Sequence, residues 1–149
     1  EHGTHVAGII GAKGNNKIGV SGITWDVELM SLDVFGDAQR YEKEDLFDAI
    51  YYAIDNGANV INMSLGYTVP YANLDKFKQM SPDLYQEYFD ILTYAVDKGV
   101  VVVTSAGNDD ADDASSLSIP AAFSSEIPGF ISVAAINDEG FVSEYSNFG

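Results

Sequence analysis

The sequence predicts an α/β fold: an open, mostly parallel sheet with helices on both faces, in a three-layer, doubly wound arrangement. Short apolar runs of strand length alternate along the chain with amphipathic helical patterns. Strands separated by helices require parallel crossover connections, which place helices on both faces of a sheet. A chain of 149 residues has the size of one domain with a substantial core.

The first half of the chain contains two predicted strands with a helix between them. The apolar run VELMSLDVF at residues 27–35 predicts a buried strand. Gly57 marks the end of the helix that follows. The apolar face of that helix is formed by Leu46, Ile50, Ala53 and Ile54. Residues 58–65 then predict the second strand.

The second half repeats this alternation. A helix is predicted from the Ser81-Pro82 start signal to Gly99. Its apolar face is formed by Leu84, Tyr88, Ile91, Leu92, Ala95 and Val96. Residues 100–105 and 130–136 predict two further strands. The tyrosine-rich segment 67–82 is longer than most connections, and a lid, an insertion and a plain surface loop are its alternative interpretations.

Composition narrows the classes of function. The chain has 7 basic and 23 acidic side chains, a formal net charge of −16, and no cysteine. Such a chain lacks a basic patch for nucleic acid or for anionic membranes, so we expect neither as a partner. No apolar run reaches the roughly 20 residues of a membrane span. Without cysteine, disulfides, thiol catalysis and thiolate metal sites are excluded.

Two histidines lie at the start of a predicted helix, in the block HGTHVAG at residues 2–8. At the rim of a sheet, a neutral imidazole can accept a proton from a hydroxyl nucleophile, which makes His2 a candidate base. His2 and His5 also share one helical face, so metal ligation is an alternative, although no carboxylate in the following turns supplies a third ligand. Two ordinary structural histidines are the remaining interpretation.

The block SAGN at residues 105–108 follows the apolar strand VVVVT. Ligands collect at the carboxyl ends of parallel strands, so this block and residues 64–66 are expected at the functional rim of the sheet. There an asparagine amide can donate to a carbonyl oxygen that gains negative charge. A simple Gly-Asn turn is the alternative.

Taken together, these blocks resemble the subtilisin-like serine proteases. Five blocks occur in the order and approximate spacing of that family: HGTHVAG at 2–8, NMSLG at 62–66, SAGN at 105–108, IPA at 119–121 and VAA at 133–135. The resemblance covers nearly the whole chain. It implies a subtilisin-like α/β sheet, a polypeptide substrate, and an extracellular, secreted enzyme.

The resemblance implies catalytic roles for two residues. His2 matches the base that takes the proton of the serine hydroxyl and returns it to the leaving amine. Asn108 matches the side chain that donates to the tetrahedral oxyanion. His5 matches a histidine that packs inside and takes no part in catalysis. These roles require His2 and Asn108 to converge on a single cleft at the rim of the sheet.

The resemblance also implies where a peptide substrate lies. The matching substrate-binding residues are Ser64, Leu65, Gly66, Phe35, Ala106 and Gly107. The first three match the strand edge that binds the substrate backbone as an added strand and walls the first specificity pocket. The phenylalanine shapes the pockets further along the peptide. The last two, with residues 118–121, form the base of the first pocket.

The catalytic triad is incomplete in these 149 residues. In the family the aspartate precedes the histidine, and the serine follows later in a Gly-Thr-Ser-Met-type motif. No aspartate precedes His2, and neither Ser143 nor Ser146 stands in such a motif. The chain is interpreted as one partial peptidase domain, residues 1–149, truncated at both ends and completed by flanking segments. We expect the isolated piece to be inactive and, with apolar surface uncovered, to oligomerise.

A glycine- and asparagine-rich loop follows the first helix. Many family members fold this loop around calcium, and the matching positions here are Gly14, Asn16, Ile18 and Val20. Calcium takes about six to eight oxygen ligands, and Lys17 adds an unfavourable positive charge. A structural calcium site and a hairpin-like loop are therefore both open interpretations. The chemistry itself requires no cofactor.

Four aspartates come directly after the SAGN block: Asp109, Asp110, Asp112 and Asp113. Most acidic runs of this kind are simply solvated. If the run edges the first specificity pocket, its field favours a basic side chain just before the scissile bond.

Three classes of function follow from these observations. The first is a serine endopeptidase, and the second is a degenerate relative that serves as a non-catalytic binding or folding module. The third is a metal-dependent α/β hydrolase that uses His2 and His5. An aspartate upstream and a Gly-Thr-Ser motif downstream would distinguish the first from the second. Metal analysis and a chelator would identify the third.

Overall fold

The computed structural model describes residues 1–36, 41–109 and 116–147. The chain forms two compact units, Glu1–Ala49 and Ile50–Gly149. The elements are, in order, α1 His2–Gly11, α2 Lys43–Asp55, β1 Val60–Met63, β2 Tyr67–Val69, α3 Leu74–Met80, α4 Pro82–Asp97, β3 Val101–Ser105, β4 Leu117–Ile119, a 3₁₀ helix Ala121–Ser125 and β5 Phe130–Val133.

The first unit contains helix α1 and the chain that returns past its end. Gly22 N donates to Ala12 O at 2.8 Å, and Trp25 Nε1 donates to Gly22 O at 3.0 Å. The approach at Gly22 is so close that a Cβ would lie 2.5 Å from Ala12 N. Glycine is therefore required there by packing.

The predicted strand at residues 27–35 is wrong. The segment is irregular and pairs with no strand among the described residues. A strand exists through hydrogen bonds to a neighbour, and an apolar run alone does not specify that neighbour. Val34 is buried, whereas Leu29 and Phe35 are 49% and 37% exposed.

The main sheet lies in the second unit and confirms the predicted α/β class. Its three strands are parallel, in the order β1-β3-β5. The register pairs Met63 with Thr104, and Thr104 with Ser132. Thr104 is 1% exposed, and its Oγ1 donates to Met63 O at 3.1 Å. This bond, shielded from water, fixes β1 against β3.

The strands predicted at residues 58–65, 100–105 and 130–136 are confirmed in shorter form as β1, β3 and β5. One face of the sheet carries the buried side chains Val102 and Phe130, and α4 packs against β3. Alternate residues point to the other face. There Val101 and Ile131 are 42% and 46% exposed, so the core lies on the α4 side.

The two predicted long helices are confirmed as α2 and α4, and each ends close to its predicted glycine. Gly57 and Gly99 follow α2 and α4 with φ of +81° and +82°, a conformation that favours glycine and stops a helix. Pro82 occupies the first turn of α4, where its missing N–H costs no helical bond. The buried residues of α4 are Tyr85, Tyr88, Ile91, Leu92 and Ala95.

Residues 67–82, called segment 67–82 below, contain a strand and a helix and are therefore not a plain surface loop. Strand β2 pairs antiparallel with β4 in a second, two-stranded sheet, with Tyr67 opposite Ile119. Helix α3 follows and packs on α4. Its N-cap is Asn73, whose Oδ1 accepts from Lys76 N at 3.0 Å. Segment 67–82 therefore contributes to the core of the second unit.

An aromatic cluster joins segment 67–82 to the rest of the second unit. The Phe77 ring of α3 is 1% exposed, and its centroid lies 6.3 Å from that of Tyr85 and 6.4 Å from that of Phe123. Burial, and then a hydrogen bond donated to Glu126, raise the pKa of Tyr85 to about 12. The phenol therefore stays protonated to a higher pH than that of an ordinary tyrosine, whose pKa is about 10. Lys78 Nζ lies 4.6 Å from the centroid of the same ring.

We expect Phe77→Ala to lower the free energy of unfolding by about 3–5 kcal/mol, because removal of a buried ring leaves a cavity that its neighbours fill only in part. Met80→Ala is the matched control, since Met80 lies in the same helix but is 66% exposed. It should change stability by about 0.5 kcal/mol or less. Urea denaturation followed by circular dichroism measures both variants. If Phe77→Ala lowered the free energy of unfolding as little as Met80→Ala does, the proposed contribution of the Phe77 ring to the core would be wrong.

Candidate active site

A pocket at the carboxyl ends of β1 and β3 brings together most of the predicted substrate-binding residues. Because the two strands are parallel, the segments that follow them emerge at the same edge of the sheet. The pocket encloses about 400 Å³. Its lining residues are Ser64, Leu65, Gly66, Tyr67, Thr68, Ser105, Gly107, Asn108, Asp109 and Ser118.

Gly66 allows one wall of the pocket to pack tightly. A Cβ at this position would lie 2.8 Å from Ile119 O, at the end of β4. Any side chain would push the wall away from β4, which contributes Ser118 to the same pocket. The glycine therefore sets the separation between two walls of the pocket.

Asn108 lies on the turn that follows β3. Gly107 precedes it with φ of +111°, a region that favours glycine. Asn108 is exposed at the pocket, and its side chain makes no hydrogen bond to the described residues. Its amide is therefore available to a group that enters the pocket.

Asp109 is the acidic residue among the described residues that line the pocket, and it is held from two sides. Thr68 Oγ1 donates to Asp109 Oδ2 at 2.6 Å. Asp109 N donates to Asn147 Oδ1 at 2.9 Å. These contacts fix the residue that directly follows Asn108. The other three aspartates of the acidic run lie outside the described residues: Asp110, Asp112 and Asp113.

Ala106, predicted at the base of the pocket, lies between two lining residues but does not line the pocket itself. It is 9% exposed, and its N–H donates to Val133 O at 2.9 Å. Ala106 thus connects the end of β3 to the end of β5.

His2 and Phe35 belong to the first unit, whereas Asn108 belongs to the second. His2 begins α1 and is exposed. The Phe35 ring packs edge to face on Tyr41, with centroids 5.4 Å apart. The convergence of His2 and Asn108 on one cleft stays a prediction.

His5 differs from its expected inward packing, because it is exposed and α1 has no buried residue. In the part of the chain that the structure describes, no three His, Cys, Asp or Glu side chains group closely enough to hold a metal ion. The hypothesis of a metal-dependent hydrolase built on His2 and His5 therefore gains no support. Nor does any helix of residues 1–36, 41–109 and 116–147 have the length and apolar character to cross a membrane.

The candidate calcium loop is an irregular series of bends over residues 14–19 rather than a hairpin. Asn16 Oδ1 accepts a hydrogen bond from Ile18 N at 3.0 Å. Every second residue of the loop has a positive φ: Asn15 at 57°, Lys17 at 64° and Gly19 at 58°. The chain therefore curves sharply between the positions that match calcium ligands.

Three residues in or beside the pocket were not predicted from the sequence: Tyr67 and Thr68, which line it, and Asn147, which contacts Asp109. The strand that carries Tyr67 and Thr68 could have been predicted, since the aromatic and β-branched composition of Tyr67–Val69 is typical of a strand. No such pattern marks Asn147, because its partner Asp109 lies 38 residues away. Long-range hydrogen bonds leave no periodic pattern in a sequence.

The fold and the pocket define an α/β protein with a pocket at the carboxyl edge of a parallel sheet. A family model described as the subtilase family of peptidases matches residues 1–149. The chain belongs to the subtilase family, as its sequence blocks predict.

Individual relatives agree with this assignment. The chain is 34% identical to halolysin of Haloferax mediterranei and 38% identical to the cell wall-associated protease of Bacillus subtilis, each over 148 residues. These alignments cover 99% of this chain but 24% and 14% of those proteins. The chain therefore spans only a minor part of these curated relatives.

Solved structures share the fold. The patellamide maturation protease PatA superimposes with a TM-score of 0.76 at 30% identity, and the nisin leader peptidase NisP from Lactococcus lactis with 0.76 at 28%. Each comparison covers 99% of this chain, and 48% and 44% of the respective structure. The predicted subtilisin-like fold is confirmed.

Proposed function

We propose that this chain supplies the proton-transferring base and the oxyanion donor of a serine endopeptidase, with His2 as the base and Asn108 as the donor. One observation carries the proposal: the amide of Asn108 makes no hydrogen bond to the described residues and lies at a pocket walled by residues 64–66. Family membership supports the same reaction class, since the cell wall-associated protease, PatA and NisP named above are proteases or peptidases by name.

In this mechanism a peptide binds along residues 64–66 as an added strand, through its own backbone N–H and C=O groups. The serine hydroxyl attacks the scissile carbonyl while His2 takes the hydroxyl proton, which it later gives to the leaving amine. The carbonyl oxygen becomes negatively charged in the tetrahedral intermediate. Asn108 Nδ2 donates a hydrogen bond to that oxygen.

We assign no nucleophile within these 149 residues. Ser146 is a buried residue, 2% exposed. Its hydroxyl accepts a hydrogen bond from Ala135 N at 2.8 Å and donates one to Asn147 O at 3.0 Å. Its proton is therefore engaged inside the protein. We propose that these 149 residues alone do not hydrolyse peptides, and that the full-length protein supplies the serine and the aspartate of the triad.

We further propose that the protein acts outside the cell. Support comes from the halolysin-like extracellular serine protease Nep of Natrialba magadii, which is 34% identical over 148 residues.

Asn108→Ala in the full-length protein should lower kcat by about 10²–10³, the loss known for the corresponding donor in subtilisin, while KM changes little. The reason is that the amide acts on charge that exists only in the transition state. Asn137→Ala is the matched control: Asn137 Oδ1 accepts from Glu139 N and Phe141 N in a turn that does not line the pocket. Cleavage of a chromogenic peptide measures both.

Peptide hydrolysis that is unchanged in Asn108→Ala would contradict the proposed role of this amide. A full-length protein that binds peptides without cleaving them would instead support the non-catalytic binding module.

We also propose that Asp109 biases the pocket toward substrates with a basic side chain just before the scissile bond. Its carboxylate lines the pocket and is oriented by the hydrogen bond from Thr68. A lysine or arginine side chain in the pocket would meet this charge. Because Asp109 is exposed, water and salt weaken the attraction.

Asp109→Asn should lower kcat/KM for a substrate with lysine at that position by about twofold to fivefold, the range of an exposed ion pair. A leucine substrate should be unaffected. Asp138→Asn, which removes an exposed charge away from the pocket, is the control. Measurements at low and high salt should show the difference shrinking as salt rises. Equal effects on both substrates would contradict the bias.

A structural calcium site in the loop after α1 is a further proposal. The candidate ligands are the amide oxygen of Asn16 and the backbone carbonyl oxygens of Gly14, Ile18 and Val20. All are oxygen donors, which calcium requires, and an amide oxygen that already accepts one hydrogen bond keeps a second lone pair. Four donors are fewer than the about six to eight that calcium takes, so other oxygens must complete the shell. The ion would contribute stability rather than chemistry.

Calcium should raise the thermal unfolding midpoint of the full-length protein, because a ligand that binds only the folded state stabilises it by about 2.7 kcal/mol at a hundredfold excess over its Kd. Asn16→Ala should reduce this shift. Asn56→Ala is the control, since the Asn56 side chain bonds Tyr52 O in another part of the chain. Differential scanning calorimetry with and without a chelator measures the effect. A midpoint independent of calcium would contradict the site.

A further inference from the structure

One residue, Asn147, holds the chain on both sides of Asn108. Its backbone N–H donates to Gly107 O at 3.1 Å, and its side-chain Oδ1 accepts from Asp109 N at 2.9 Å. Its Nδ2 also lies 3.4 Å from Asp109 Oδ2. These bonds bracket Asn108, because they engage the residue directly before it and the residue directly after it.

The contact depends on close approach at Gly107. A Cβ there would lie 2.4 Å from Asn147 Nδ2, and Gly107 has φ of +111°. A side chain at this position would displace the Asn147 amide. Gly107 is therefore required both by the turn and by the close contact with Asn147.

Asn147 is itself held at the end of the sheet. Ser146, the residue before Asn147, is 2% exposed, and its Oγ accepts from Ala135 N at 2.8 Å. The same hydroxyl donates to Asn147 O at 3.0 Å. Ala135 follows β5 by two residues, so the position of Asn147 is tied to the end of that strand.

The side chain of Asn108 contrasts with its backbone. The backbone segment 107–109 is pinned by Asn147, whereas the Asn108 side chain makes no hydrogen bond to the described residues. A donor is most effective at stabilising developing charge when it is already held in place before the reaction, since no reorganisation is then needed.

We infer that Asn147 is a positioning residue for the oxyanion donor: it holds the backbone around Asn108 so that the Asn108 amide points into the pocket before substrate binds. This inference rests on the proposed function of Asn108. It assigns to Asn147 no contact with the substrate, because Asn147 does not line the pocket.

Asn147→Ala removes the acceptor for Asp109 N–H but keeps the backbone bond to Gly107 O. The alanine also lacks the Nδ2 donor near Asp109 Oδ2, so residue 147 then holds the loop only at Gly107 O, while Thr68 Oγ1 still donates to the Asp109 carboxylate. In the full-length protein, kcat should fall by about threefold to tenfold, the effect of one hydrogen bond, with KM within about twofold. Asn137→Ala removes side-chain bonds to two backbone N–H groups elsewhere and should leave kcat unchanged.

The decisive measurement is the same substitution in an Asn108→Ala background. If Asn147 acts through the Asn108 amide, it has nothing left to position there, and kcat should change by less than about twofold. An equal loss in both backgrounds would overturn the inference, because it would show an effect on stability or on another part of the site.

Amide hydrogen exchange gives a readout that does not depend on catalysis. Exchange at Asp109 N–H should accelerate by about threefold to tenfold in Asn147→Ala, while Val102 and Thr104 of β3 keep their protection and show that the protein is folded. Asn147→Ser, whose hydroxyl is too short to replace the amide, should do the same if the alanine variant does not fold. Unchanged exchange at Asp109 in a folded variant would show that Asn147 does not hold the backbone there, and it would overturn the inference.

The two arms separate this inference from the proposed function. If Asn108→Ala itself leaves kcat unchanged, the role of Asn108 fails, whatever Asn147 does. If Asn108→Ala is severe but Asn147→Ala is silent in both kcat and Asp109 exchange, only the role of Asn147 fails.

Discussion

The parallel pairing of β1 and β3 is the constraint on which the pocket depends. Met63 lies opposite Thr104, and the buried hydroxyl of Thr104 donates to Met63 O. This bond fixes the register at the end of both strands, so the segments that follow must leave the sheet side by side. A slip in register would carry residues 64–66 past Asn108 and separate the proposed peptide-binding edge from the proposed oxyanion donor.

Much of this arrangement could be predicted from local patterns. Helix α4 has an apolar face with helical spacing, a proline in its first turn and a glycine at its stop, so its position along the chain was fixed by short-range physics. The alternation of such helices with apolar runs then required a parallel sheet. Once the sheet was parallel, residues 64–66 and Asn108 had to share an edge.

The parts that could not be predicted depend on partners far away in the sequence. An apolar run at residues 27–35 has the composition of a strand, but pairing needs a neighbour that composition does not specify. Thr68 and Asp109 are 41 residues apart, and Asn147 and Asp109 are 38 apart, yet these bonds orient the groups around Asn108. The chemical group was visible in the sequence, whereas the scaffold that orients it was not.

Segment 67–82 shows how a part of the chain without proposed reacting groups can still influence the pocket. Phe123, which is fully buried, lies in the 3₁₀ helix that follows β4 and packs against Phe77 of α3 and Tyr88 of α4. Strand β4 carries Ser118 of the pocket wall and pairs with β2 of segment 67–82. Segment 67–82 thus contacts this wall in two ways, through backbone hydrogen bonds between β2 and β4 and through the aromatic packing of Phe77 against Phe123. Since close-packed cores transmit rather than absorb changes in shape, the pocket width depends on side chains that no substrate reaches.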